Sequence, residues 1–171
     1  MSKNIERYKN KILFVIADYY VDISDELASG AKTVMDNAWV GPDSVPKGFW
    51  DAIYVPGIFE IPVVISKNIK KYTGFVALGC VIKGQTPHFD FISTAVNNEL
   101  MNLSTKHNKP IGNGIITALN MKQAKVRADQ FKKNKGGEAC KAVLSVLDLY
   151  DDGEVFDARS RFMGFGKVKK K

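Results

Sequence analysis

The run Gly74-Phe75-Val76-Ala77-Leu78-Gly79-Cys80-Val81-Ile82 carries no charged side chain. Side chains on a strand alternate between two faces, so an unbroken apolar run must be covered on both. This run therefore predicts a central strand of a parallel sheet sandwiched between helices. Lys11 to Ala17 (KILFVIA) is a second short, β-rich run of the same kind, and Asp51 to Val55 is a third. Ile111 to Ala118 reads as a fourth strand, weakened by two glycines.

Between these runs the apolar period changes from two to three or four. Ile23, Leu27, Ala31, Val34, Met35 and Ala38 predict an amphipathic helix, with Asp22 or Ser24 as its cap. Gly41 to Gly48, with two prolines, reads as a loop. A helix is expected after Pro56-Gly57, with Pro62 in its first turn, where a missing N–H does no harm. Another carries Ile92, Ala95, Val96, Leu100 and Leu103. Two more are expected at about 120–132 and 137–150, broken by Asn134-Lys135-Gly136-Gly137. The order βαβαβαβαα implies an α/β fold, a three-layer αβα sandwich on a four-stranded parallel sheet. Residues 1–150 read as a single domain, and 151–171 as an extended basic tail.

At 171 residues and 45% hydrophobic, the chain can fill one core. It holds no apolar run of membrane-spanning length, and residues 1–9 are too polar for a signal peptide. Cys80 and Cys140 lack metal-ligand spacing and read as buried, reduced thiols of a cytoplasmic protein. The net charge of +7 suits an anionic small molecule. Basic stripes interleaved with aromatics are absent, so nucleic acid is not expected as a partner, nor is a membrane.

In open parallel sheets, ligands bind beyond the carboxyl ends of the strands. Tyr19-Tyr20, Pro56 to Glu60, Lys83 to His88 and the region after Ala118 all fall there. Thr86 fits a helix cap and Pro87 the first helical position, with Gly84 allowing a tight turn before them. Free amides of Gln85 and Thr86 would then face an anion. His88 in the first turn is expected as a neutral imidazole, because the dipole's positive end disfavours imidazolium, while Asp90 pulls the other way. Glu60 suits a helix start and would accept from sugar-like hydroxyls. Tyr19 and Tyr20 at a strand end would stack on a heterocycle. Arg127 sits among other charges, where a solvated face is the ordinary reading, and Lys135 precedes a glycine pair. None of these signals is specific alone.

Taken together, the segments Val55-Pro56-Gly57-Ile58-Phe59-Glu60-Ile61-Pro62, Ala77 to Asp90 (ALGCVIKGQTPHFD) and Asn134-Lys135-Gly136-Gly137-Glu138-Ala139 are in the order found in the lumazine synthase family of riboflavin biosynthesis. The resemblance covers roughly residues 11–149. It implies a flavodoxin-like strand order and condensation of 5-amino-6-(ribitylamino)uracil with 3,4-dihydroxy-2-butanone 4-phosphate, with no metal or other cofactor. It implies His88 as proton shuttle, Arg127 and Lys135 at the phosphate end beside the Gln85 and Thr86 amides, and Glu60 on the ribityl chain. It further implies stacking by Tyr19, and ring and ribityl contacts around Gly57, Ile58, Phe59, Cys80, Val81 and Ile82. The family builds each site between two subunits of a pentamer, and some members assemble sixty subunits into a shell.

The sequence departs from the family pattern at four places. Asn113 stands where many members place an aromatic from the neighbouring subunit, and Tyr20 replaces a smaller polar residue. The Trp39 to Trp50 loop carries an insert, and the tail after Tyr150 is longer than usual. Two other classes stay open on the residues alone: a lumazine- or flavin-binding protein without turnover, and an interaction role for the lysine-rich tail.

Overall fold

A computed structural model of the chain describes residues 11–37 and 50–151, with side chains up to Leu147. The expected loop at Gly41 to Gly48, with the insert around it, and the tail after residue 151 lie outside the described residues. The elements are β1 (Ile12–Ala17), α1 (Val21–Asn37), β2 (Trp50–Val55), a 3-10 turn (Ile58–Glu60), α2 (Ile61–Asn68), β3 (Gly74–Ile82), α3 (His88–His107), β4 (Ile111–Ala118), α4 (Met121–Ala128) and α5 (Lys135–Asp151). All strand pairs are parallel, in the order β2-β1-β3-β4. The α/β fold is the one that the uncharged run at Gly74–Ile82 and the βα alternation predict.

The strand periodicity divides the core in two. Ile12, Phe14 and Ile16 of β1 pack with Val76, Leu78 and Cys80 of β3 under α1, α4 and α5. Leu13, Val15 and Ala17 pack with Phe75 and Ala77 under α2 and α3. The β1 and β3 side chains in both groups are nearly excluded from solvent, so each strand contributes apolar area to two interfaces at about 25 cal/mol per Å². β1 leads to β2 on one side and the chain then returns to β3 on the other. The resulting crevice between the carboxyl ends of β1 and β3 is where such sheets hold ligands.

The ends of α1, α4 and α5 depart from the sequence expectations. α1 opens at Val21, earlier than a cap at Asp22 or Ser24 allows. The Tyr20 carbonyl accepts from the Ile23 and Ser24 amides, both at 2.9 Å. Ser24 is buried inside the first turn, and its hydroxyl donates to Asp18 Oδ1 at 2.5 Å. A buried hydroxyl needs such a partner. α4 ends at Ala128, short of residue 132. Asp129 leaves the helical region at ψ 116° and its carboxylate accepts from the Phe131 amide, a local turn that competes with the helix.

α5 begins at Lys135, so Gly136 and Gly137 lie inside its first turn and do not form a break. Asn134, at φ 43°, caps it by accepting from the Gly137 amide at 3.0 Å. Gly136 is glycine for contact with α1. A Cβ there would lie 2.0 Å from the Leu27 carbonyl oxygen, which is backbone and has little room to move. Among the described residues, no helix is long and apolar enough to cross a membrane.

Candidate active site

The crevice between β1 and β3 opens as a cleft of about 300 Å³. It is lined by Tyr19 and Tyr20 after β1, Gly57 and Ile58 after β2, Cys80 to Ile82 at the end of β3, and Gly84, Thr86, His88, Phe89 and Ile92 leading into α3. Three of the four segments expected to converge do so. The fourth, after Ala118, is tied to the third by the Lys83 amide donating to the Ala118 carbonyl at 2.9 Å. It does not line this cleft.

Each wall has a local cause. The Asp18 amide donates to the Val55 carbonyl at 2.8 Å, fastening the Tyr19-Tyr20 turn to the end of β2. The two tyrosine rings meet edge to face, with centroids 4.9 Å apart and planes at 79°. Gly79 lets the 57–60 turn close over the sheet. A Cβ on it would lie 2.7 Å from Ile58 Cγ2 and 2.9 Å from Ala17 Cβ. That turn carries Glu60 beside Gly57, with Glu60 Oε2 3.2 Å from where a Gly57 Cβ would stand.

The third loop differs in detail from its expected form. α3 starts one residue later, with Pro87 at the cap position and His88 first in the helix, and no side chain caps it. The Pro87 carbonyl takes the Asp90 amide at 3.1 Å and the Phe91 amide at 3.3 Å, which leaves Thr86 outside the helix. Gly84 keeps its φ out of the left-handed range and has open space where a Cβ would go, so the turn does not require glycine there. The amides of Gln85 and Thr86 make no backbone hydrogen bond among the described residues. His88 and Thr86 are exposed on the cleft wall.

Cys80 sits in the cleft wall and Cys140 in the core, both unpaired. Burial pushes the Cys80 thiol up to about 11 and the Cys140 thiol up to about 12. Neither is a thiolate nucleophile near neutral pH. Among the described residues, no group of three or more His, Cys, Asp or Glu side chains is placed to hold a metal ion.

Arg127 and Lys135 are elsewhere in the same chain. They line a second cleft of about 350 Å³ with Ile115, Ile116 and Thr117 of β4, Val126, Lys133 and Glu138. Among the described residues β4 pairs only with β3, so this cleft runs along the edge strand of the described sheet. Asn120 fixes α4 by accepting from the Gln123 amide at 2.9 Å, and Arg127 Nη1 donates to the Gln123 carbonyl at 3.3 Å. Lys135 Nζ lies 3.5 Å from Glu138 Oε2. The two clefts share no lining residue.

Phe59, Glu60, Gln85 and Asn113 line neither cleft. The Asn113 side chain is already engaged: its amide group donates to Asn97 Oδ1, and its oxygen accepts from the Ile115 amide at 3.0 Å. Sequence reasoning passed over Phe89 and Ile92 as lining residues. Ile92 lies four positions after His88, the spacing that puts two side chains on one helix face, so that signal was present. Thr117, Lys133 and Glu138 of the second cleft had no such signal, because a free sheet edge is visible only once strand order is known.

Comparison with known proteins follows the same residues. The family described as 6,7-dimethyl-8-ribityllumazine synthase matches residues 9–151. The chain is similar to the 6,7-dimethyl-8-ribityllumazine synthase of Afipia carboxidovorans, 41% identical over 146 residues, covering 81% of this chain and 85% of the relative. The enzyme of the same name from Agrobacterium fabrum is 39% identical over 148 residues, covering 82% and 95%. That of Bartonella bacilliformis is 42% identical over 142 residues, covering 81% and 88%. With a strand-end cleft built on the segments that carry the likeness, the chain belongs to the 6,7-dimethyl-8-ribityllumazine synthase family, transferases of riboflavin biosynthesis.

Proposed function

We propose that this chain condenses 5-amino-6-(ribitylamino)uracil with 3,4-dihydroxy-2-butanone 4-phosphate, releasing 6,7-dimethyl-8-ribityllumazine, phosphate and water. The observation that carries this reading is His88, exposed on the wall of a strand-end cleft that is otherwise mostly apolar. An imidazole can both accept and return a proton in the course of a reaction. It takes the proton from the amine as nitrogen attacks the ketone, and returns a proton as phosphate leaves and the ring closes. Tyr19 offers a ring face to the heterocycle. Gly57, Ile58, Phe59, Cys80, Val81 and Ile82 surround ring and ribityl chain, and Glu60 accepts from ribityl hydroxyls. No metal or cofactor enters this scheme.

Phosphate needs fixed cations and free amides. Thr86 lines the first cleft, with Gln85 next to it in the chain, whereas Arg127 and Lys135 line the second. A site that uses both sets is completed when the free β4 edge of one subunit docks against the His88 cleft of a neighbour. Exposed apolar side chains favour such a homo-oligomer. Phe59 is 65% exposed, Phe91 71% and Phe131 90%, apolar area that a neighbouring subunit would cover. Head-to-tail contacts of this kind close into a ring, and the ring proposed here is a pentamer, alone or as the unit of a 60-subunit shell. Asn113 on the same β4 would meet the neighbour's bound ring by edge contact and not by aromatic stacking. The buried, unpaired thiols suit the reducing cytoplasm.

An absorbance assay tests the reading. Purified protein given both substrates and no added metal produces the lumazine band; no band means that the chain binds without turnover or does something else.

A further inference from the structure

The cleft has few polar side chains and none of them is a carboxylate or an amide. Beside apolar Ile58, Val81, Ile82, Phe89 and Ile92 stand the hydroxyls of Tyr19, Tyr20 and Thr86, the Cys80 thiol and His88. In such a site a small number of placed polar groups decides which ligand fits. Tyr20 is the most firmly held of the hydroxyl bearers. Its carbonyl takes the first two amide bonds of α1. Its ring packs against the α1–α5 side of the core, and the Tyr19 ring braces it edge to face.

Only part of that side chain is buried. Its hydroxyl has no hydrogen-bond partner among the described residues. Burial, then the neighbouring Tyr19 and Cys80 groups, holds the phenol above its ordinary pKa of 10.0. At neutral pH it is a donor in a residue that lines an apolar cleft, with its donor capacity unspent among the described residues.

We infer that the Tyr20 hydroxyl donates a hydrogen bond to a ring carbonyl oxygen of the heterocyclic substrate and so helps set which heterocycles the cleft accepts. This rests on the reading that the cleft takes a ribitylaminouracil. Uracil-type rings present carbonyl acceptors along one edge, and a rigid donor on an apolar wall selects for them because an analogue lacking the acceptor leaves a desolvated hydroxyl unpaired. Tyr20 acts here as a specificity residue; it takes no part in proton transfer.

Tyr20→Phe removes the hydroxyl and keeps the ring. The expected result is a rise of about 3- to 10-fold in KM for the aminouracil, the scale of one neutral hydrogen bond. KM for the butanone phosphate and the thermal midpoint stay as in the parent protein. Binding of 6,7-dimethyl-8-ribityllumazine itself, followed by its fluorescence, weakens by a similar factor. If the parent protein makes lumazine and the variant binds the fluorescent ring equally well with the same KM, the Tyr20 role is wrong and the synthase reading stands. A parent that makes no lumazine but binds the ring in a Tyr20-dependent way keeps the Tyr20 role and removes the synthase reading. A parent that neither binds nor reacts removes both.

Discussion

His88 gains its chemical meaning from three neighbours in space. Phe89 and Ile92 give it an apolar side, Thr86 and Gln85 bring amides that no other backbone group uses, and the tyrosine turn closes the far wall. A base so placed would contribute about 100- to 10,000-fold in rate. His88→Ala is expected to lower kcat for lumazine formation by that factor while the protein remains folded; a variant as fast as the parent would remove His88 from proton transfer. Cys80 offers the contrasting case. It lines the same cleft, yet burial keeps its thiol protonated. The sequence reading of Cys80 as a buried, reduced thiol agrees with its burial in the folded chain.

At the scale of elements, packing overrode the local signal of a glycine pair. Gly136-Gly137 looked like a break between helices, yet both lie within α5 because α1 presses against it at Leu27. Gly136→Ala must push the Leu27 carbonyl away, and overpacking of this kind costs about 1–3 kcal/mol. A lower urea midpoint with an unchanged slope would register it; equal midpoints would mean that the α1–α5 contact yields freely. At the other end of the sheet, Lys11 Nζ lies 2.7 Å from Asp51 Oδ2, and the Tyr72 hydroxyl also donates to Asp51.

Those two bonds to Asp51, Lys11's first, hold its carboxyl below its ordinary 3.8. The folded state therefore favours the carboxylate. This support is complete above the unfolded pKa and is lost as pH falls through the lower folded value. The same bond to Asp51 pushes the Tyr72 hydroxyl up to about 12. Asp51→Asn is expected to flatten the fall in stability below about pH 4, the ordinary carboxylate range, by a modest amount because the Asp51 side chain is 40% exposed. An acid limb of the denaturation curve identical in both proteins would remove this clasp from the account.

For the whole molecule, the decisive feature is the separation of His88 from Arg127 and Lys135 into two clefts of one chain. If each working site joins the two clefts across a subunit boundary, His88→Ala and Arg127→Ala damage opposite halves. Co-expressing the two variants then restores activity to about a quarter of the parent level, since random assembly of closed rings leaves that share of interfaces with both residues intact. Mixed rings no more active than either variant would place both residues in one subunit's site. The sequence alone determined the strands, the two-sided core and the βα alternation, because apolar periodicity is set by the geometry of each element. It also carried the family likeness and the candidate residues. Only the tertiary structure decided where the helices end, which glycines serve contact, and that Arg127 and Lys135 stand apart from His88. Those outcomes depend on which surfaces the folded layers bring together, and no local run of residues encodes that distance.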